Sequence, residues 1–125
     1  FESSEEGQRQ GLGLLPGRVK ALPKDQGERI PHMGWGRLQI DQPSPLLPDP
    51  SSTEWMYFVH SFAAEPHDAQ DRAASVAFGS GHATAAVWRK RLGACQFHPE
   101  KSAATGQRLL SRWLEWLHQG SPLVP

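Results

Sequence analysis

His98 and Glu100 are the residues of this 125-residue chain whose types and spacing could carry proton transfer. They stand in the segment Gly93-Ala-Cys-Gln-Phe-His-Pro-Glu-Lys-Ser102. On an extended chain alternate residues share a face, which sets the imidazole beside the carboxylate with Cα atoms about 7 Å apart. A carboxylate in that position selects the imidazole tautomer and stabilises the imidazolium, which is what a general base needs. Pro99 fixes φ between them and cannot join a sheet ladder, so the pair reads as a strand end opening onto a site ahead of a helix. A solvated histidine beside a surface glutamate accounts for the same residues.

A base needs a group to activate, and Cys95 is the one cysteine. On a strand Cys95 and His98 would face opposite ways. Ala94 and Phe97 make an apolar setting that raises a thiol pKa and quenches its reactivity. Cys95 therefore reads as a small core residue, and a Cys-His-Glu mechanism requires a thiol that these residues do not supply. A lone cysteine also excludes a disulfide framework or a multi-thiolate metal site, and it fits a reducing cytoplasm. His32, His60, His67, His82 and His118 show no paired ligand spacing, so no metal is expected. His60, inside an aromatic run, reads as a satisfied core histidine. Trp35 lies between two glycines, which leaves its ring room to move.

The elements that must position these groups follow from periodicity. Arg18 to Leu22 reads as a short strand, and Ile30 to Ile40 as a loop leading into another. Trp55 to Phe62 is almost wholly apolar, as in a strand covered on both faces. Ser75 to Phe78 and Thr84 to Arg89 flank Gly79-Ser-Gly81 and read as a hairpin, with Leu92 to Phe97 as a further strand. Gly11 to Gly17 and the proline-rich Asp41 to Ser52 are loops. From Ser102 to Gly120 the period becomes helical. Leu109, Leu110, Trp113, Leu114, Trp116 and Leu117 form a broad apolar face, with Arg108, Arg112, Glu115 and Gln119 on the wet side. Ser102 is the expected N-cap and Gly120 the expected C-cap. Strands with one strong closing helix indicate an α/β domain whose sheet is partly antiparallel.

Thirteen basic residues balance thirteen acidic ones. That neutrality argues against a nucleic-acid or anionic-membrane surface, which needs a clustered positive field. No apolar run approaches the ~18 residues of a membrane span. The start, Phe-Glu-Ser-Ser-Glu-Glu-Gly7, reads as the tail of a helix capped by Gly7, and so as the beginning of a fragment.

Gln96-Phe-His-Pro-Glu-Lys-Ser102 resembles the histidine-glutamate motif of the class I, triad-type glutamine amidotransferases. Gly11-Leu-Gly-Leu-Leu-Pro-Gly17, Pro31-His-Met-Gly-Trp35 and Tyr57-Phe-Val-His-Ser61 narrow the likeness to the glutamine-hydrolysing subunits of imidazole glycerol phosphate synthases. It runs from Phe1 to about Leu117. The resemblance implies an α/β, flavodoxin-like fold, a mixed sheet with flanking helices, of which residues 1–125 are the C-terminal part. The family's nucleophile elbow, a cysteine on a strand-to-helix turn, is then expected about two helical turns before Phe1.

It also implies a chemistry. The cysteine attacks the glutamine side-chain amide, His98 moves the proton, Glu100 orients His98, and ammonia passes to a (β/α)8-barrel cyclase subunit for L-histidine synthesis in the cytoplasm. No metal or organic cofactor is implied. Ser61 and Phe62 match positions that hold the glutamine α-groups through the main chain, Phe62 replacing a commoner tyrosine. Trp35 and Tyr57 match positions near the subunit interface, and Lys101 one that faces the barrel. As plain structure, the first two are core aromatics and the last a solvated charge. Gly36 stands where the family usually has asparagine. Another triad amidotransferase, or a docking module that keeps the fold without hydrolysis, are the alternative readings.

Overall fold

A computed structural model describes residues 1–24 and 29–123. Nine strands and one α-helix are described: β1 (Ser3–Ser4), β2 (Arg9–Gln10), β3 (Gly17–Ala21), β4 (His32–Ile40), β5 (Trp55–His60), β6 (Phe62–Pro66), β7 (Arg72–Phe78), β8 (Gly81–Arg89), β9 (Leu92–Cys95) and α1 (Ala103–His118). They make two sheets. The first has the order β2-β1-β3-β6 and contains one parallel pairing, β1 with β3; the second, β5-β4-β7-β8-β9, is antiparallel throughout. Mixed sheets closed by a C-terminal helix are the α/β arrangement that the pattern implies.

The core comes from residues small enough to let strands approach and apolar enough to gain by it. Ala73, Ala74, Ala85 and Ala86 line the central hairpin, while Met56 and Phe58 of β5 are fully buried beneath Leu38 and Val76. Burying a side chain such as Phe58 stabilises by about 2–3 kcal/mol. Gly36 explains itself here. A Cβ on it would lie 2.6 Å from the Val76 Cγ2, so β4 can cross this core only with no side chain at that position. Gly93 does the same under the Trp88 ring. Trp88 meets Trp116 of α1 edge to face at 5.1 Å, and both indole N–H groups find carbonyls, those of Lys90 and Pro122.

Three expectations need correction. Phe1 to Glu6 is not a helix tail: β1 pairs with β3, and the Glu2 and Glu5 N–H groups bond to the Gly17 and Val19 carbonyls, so the ladder claims the donors that a helix would need. Gly7 is left-handed at φ 70°, as a cap would be, but it sits in a 3-10 turn that leads into β2. Trp55 to Phe62 is not one strand covered on both faces. The chain leaves the second sheet at His60 and joins the first at Phe62, and the outward residues of β5 are only partly covered, with Trp55 about half exposed. The third concerns α1. Leu109 and Trp116 are buried, while Leu110, Trp113, Leu114 and Leu117, at positions i, i+3, i+4 and i+7, are each more than 40% exposed.

Arg108 and Arg112 are not simply on a wet face either. Both bond to the buried carboxylate of Glu54, Arg112 at 2.7 Å and Arg108 at 3.1 Å, and this joins α1 to the residue just before β5. Removing one partner of a desolvated charge cluster strands the others. Glu54→Ala is expected to lower unfolding stability by about 2 kcal/mol, read as a lower urea midpoint at unchanged slope. An unchanged midpoint would mean that the cluster contributes nothing net.

Candidate functional site

The sequence from β9 to α1 runs through a tight turn. After Phe97, which is buried against Phe58, the chain reaches His98 in extended conformation and then closes a 3-10 turn over Pro99–Lys101. Pro99 suits that first position, since its fixed φ is helical and its missing N–H is needed by no partner. The His98 Nδ1 lies 2.9 Å from the Glu100 Oε1. The pair therefore meets, but through a turn rather than through the alternation of an extended strand. Both side chains reach solvent, at 37% and 63% exposure, and the bond to Glu100 uses Nδ1, which leaves Nε2 as the ring nitrogen not engaged by it.

The main chain of His98 is held on both sides. Its N–H donates to the Tyr57 carbonyl at 3.0 Å, and its carbonyl accepts from the Lys101 N–H and the Ser102 hydroxyl. Sequence periodicity assigns Ser102 to the N-cap of α1, and it occupies that place. Its hydroxyl makes no cap bond, however. It turns back to His98 and accepts the Tyr57 N–H at 2.9 Å. Ala103 follows with φ 50°, a left-handed conformation that a non-glycine residue adopts only when its surroundings enforce it. Gly106 completes the joint. A Cβ there would fall 1.8 Å from the Pro99 carbonyl oxygen, so the helix packs directly on the turn. Neither Ser102 nor Gly106 was singled out as a site residue from sequence; the signal was the small residue at each position.

Ser61 and Phe62 lie where the chain changes sheets. The Leu22 N–H takes the Ser61 carbonyl, and the His60 Nδ1 lies 2.8 Å from the Phe62 carbonyl. A carbonyl only accepts, so Nδ1 carries the proton and Nε2 is the acceptor that faces the His32 Nδ1 at 3.1 Å. Burial holds the His60 pKa below its ordinary value, against the Phe62 carbonyl, with His32 and His98 adding to the lowering. His60 is thus a satisfied buried histidine, as expected, and it braces the turn beside it.

Trp35 and Tyr57 face each other across β4 and β5, with ring centroids 6.1 Å apart and edges to faces. They are not core residues. Met33, Trp35 and Trp55 on this outer face are about half exposed or more. Tyr57 thereby looks both ways, its ring outward and its peptide groups toward His98. Lys101 is exposed within the 3-10 turn. Cys95 packs against the core, its pKa pushed up to about 11 by burial and then by Glu100. Among the described residues no group of three or more His, Cys, Asp or Glu could hold a metal, and no helix is long and apolar enough to cross a membrane.

The family model described as glutamine amidotransferase class-I matches residues 11–115. The chain is 58% identical over its whole length to an imidazole glycerol phosphate synthase subunit HisH 2 of Prochlorococcus marinus (strain MIT 9313), covering 59% of that protein. It is 56% identical to subunit HisH of Synechococcus sp. (strain CC9605), again over the whole chain and 59% of the relative. To subunit HisH of Gloeobacter violaceus it is 53% identical over 92% of the chain and 51% of the relative. The chain thus spans a little over half the length of these relatives.

Two outcomes check the site's electrostatics. Glu100's own backbone N–H and then the His98 ring hold its carboxyl below the ordinary 4.5, against a little burial. A depressed carboxyl stays ionised while pH falls through the ordinary value and loses its bond only below it. The carboxyl carbon resonance of Glu100 should therefore titrate below 4.5. A midpoint at or above that value would break the pairing. Cys95, raised from 9.0 to about 11, should alkylate at pH 8 about a hundredfold more slowly than an ordinary thiol.

Proposed function

We propose that this chain, which belongs to the glutamine amidotransferase class-I family, is residues 1–125 of a partial type-1 amidotransferase domain that hydrolyses glutamine for imidazole glycerol phosphate synthase. The observation that carries the reading is the His98–Glu100 hydrogen bond of 2.9 Å on a turn whose backbone is clamped from β5 and α1. It is the oriented imidazole that thiol-based acyl transfer needs.

In the complete amidotransferase, a thiolate outside these residues attacks the side-chain amide carbon of glutamine. His98 takes the thiol proton and gives it to the departing nitrogen, which leaves as ammonia. Water then attacks the thioester; His98 takes its proton and returns it to sulfur as glutamate departs. Glu100 holds Nδ1, so Nε2 performs both transfers. Cys95 is the wrong sulfur, since its raised pKa keeps it protonated. Ser61 and Phe62 have their carbonyls engaged, which fixes the turn that meets the glutamine α-groups.

The ammonia goes to a (β/α)8-barrel cyclase partner, which uses it to make imidazole glycerol phosphate and aminoimidazole carboxamide ribotide in cytoplasmic L-histidine synthesis. The exposed ladder of Met33, Trp35 and Trp55, with Tyr57 packed on Trp35, supports docking on the outer face of β4 and β5. Aromatic anchors flanked by polar residues are what such an interface uses. Lys101 lies in the catalytic turn and supplies a charge toward the same partner.

The 125-residue chain alone is expected to release no ammonia from glutamine, and measurable turnover by the pure chain would refute the assignment of the nucleophile. In the complete heterodimer, His98→Ala should lower turnover at least a thousandfold and leave barrel binding within about threefold. Ammonia release coupled to glutamate dehydrogenase, and calorimetry of the complex, read the two effects. Retained hydrolysis would remove His98 from its role as base.

A further inference from the structure

We propose that the Ser102 hydroxyl is the positioning device for His98, setting the imidazole by tying its backbone to β5; this rests on reading His98 as the base. Ser102 is completely buried. It holds the N-cap place yet forgoes the cap bond, and its single hydroxyl instead spans two elements. It donates to the His98 carbonyl at 2.6 Å and accepts the Tyr57 N–H at 2.9 Å. Tyr57 in turn accepts the His98 N–H at 3.0 Å. The result is a closed ring of hydrogen bonds through Tyr57, His98 and Ser102, with both peptide groups of Tyr57 committed to it.

The other bonds of the turn cannot replace this one. The Lys101 and Ser102 N–H groups bond to the His98 and Pro99 carbonyls, which shapes the turn internally but does not say where it sits. Without the hydroxyl, the His98 N–H is the one direct hydrogen bond left from the turn to β5 among the described residues, with Thr105 beyond it reaching the Trp55 and Ser102 carbonyls from the helix. The strained φ of 50° at Ala103 then has less to hold it, and relaxing that dihedral shifts the His98 end of the turn, which the Thr105 hydroxyl on the helix side does not hold. The Glu100 carboxylate is exposed and sits on the same turn, so it cannot anchor the ring to β5, and a loosened turn loosens the His98–Glu100 bond with it. A base displaced by about 1 Å can lose roughly a hundredfold in rate. Glutamine binding is insulated, because Ser61 and Phe62 are braced by Leu22 and His60 instead.

The test compares Ser102→Ala, Ser102→Cys and His98→Ala in the complete amidotransferase with its partner. Alanine leaves the site slightly underfilled and cysteine slightly overfills it while offering only a weak donor, so a loss shared by both follows the hydrogen bond and not the packing. Both Ser102 variants are expected to lose about ten- to a hundredfold in kcat with KM for glutamine within about twofold. The 15N resonances of the His98 ring should move toward those of a Glu100→Ala variant. Wild-type kcat in Ser102→Cys, kcat and KM shifting together, or an unchanged ring spectrum would each overturn the proposal. If Ser102→Ala does not fold, Ser102→Cys decides alone. If His98→Ala still turns over, the base assignment fails, and that outcome is separate from any result at Ser102.

Discussion

The peptide groups of one β5 residue carry the arrangement at the candidate site. Tyr57 gives its carbonyl to the His98 N–H and its N–H to the Ser102 hydroxyl. An edge strand normally exposes such groups to water or to another strand. Here they are consumed by a turn that contains a titratable side chain, so the edge of the sheet becomes the mount of the site. The strand can serve as a mount because Met56 and Phe58, on either side of Tyr57, are wholly buried. Their packing fixes the height and tilt of the peptide between them.

A second constraint acts from α1. Glu54, just before β5, is bonded to Arg108 and Arg112, while the single Thr105 hydroxyl proton is shared between the Trp55 and Ser102 carbonyls, so the helix is fastened to the strand's beginning. The contact of Gly106 with Pro99 brings the first turn of the helix onto the His98 turn itself. Strand, turn and helix thus share attachments on three sides of His98. This explains how an exposed imidazole can still have a defined direction.

Much of this was legible in residue order. Alternation and turn residues marked β3, the second half of β4 and the central hairpin, whereas His32 to Gly36, read as a loop from its glycines, is strand paired with β5; the helical period marked α1 to within a residue at its end, where Gly120 takes the left-handed conformation after a Gln119 cap. His-Pro-Glu announced the pair because proline and spacing act locally. What stayed hidden depended on partners far away in sequence. Whether Glu54 is surface or buried is decided by arginines more than fifty residues on. Ser102 looked like a cap because its local chemistry is that of a cap, and only the proximity of Tyr57 redirects it. The acidic start looked helical because nothing in Phe1 to Glu6 reveals that β3 waits to pair with it.

The change of sheet at Ser61 has a mechanical consequence. β5 moves with one sheet and β6 with the other, so shear between the two sheets acts directly on the short link at Ser61. That link belongs to the turn we propose meets the amino-acid end of glutamine, whereas the proposed base and its carboxylate are tied to β5 and α1. Sliding of the layers would therefore register first as a change in substrate affinity, with the rate of bond breaking little altered.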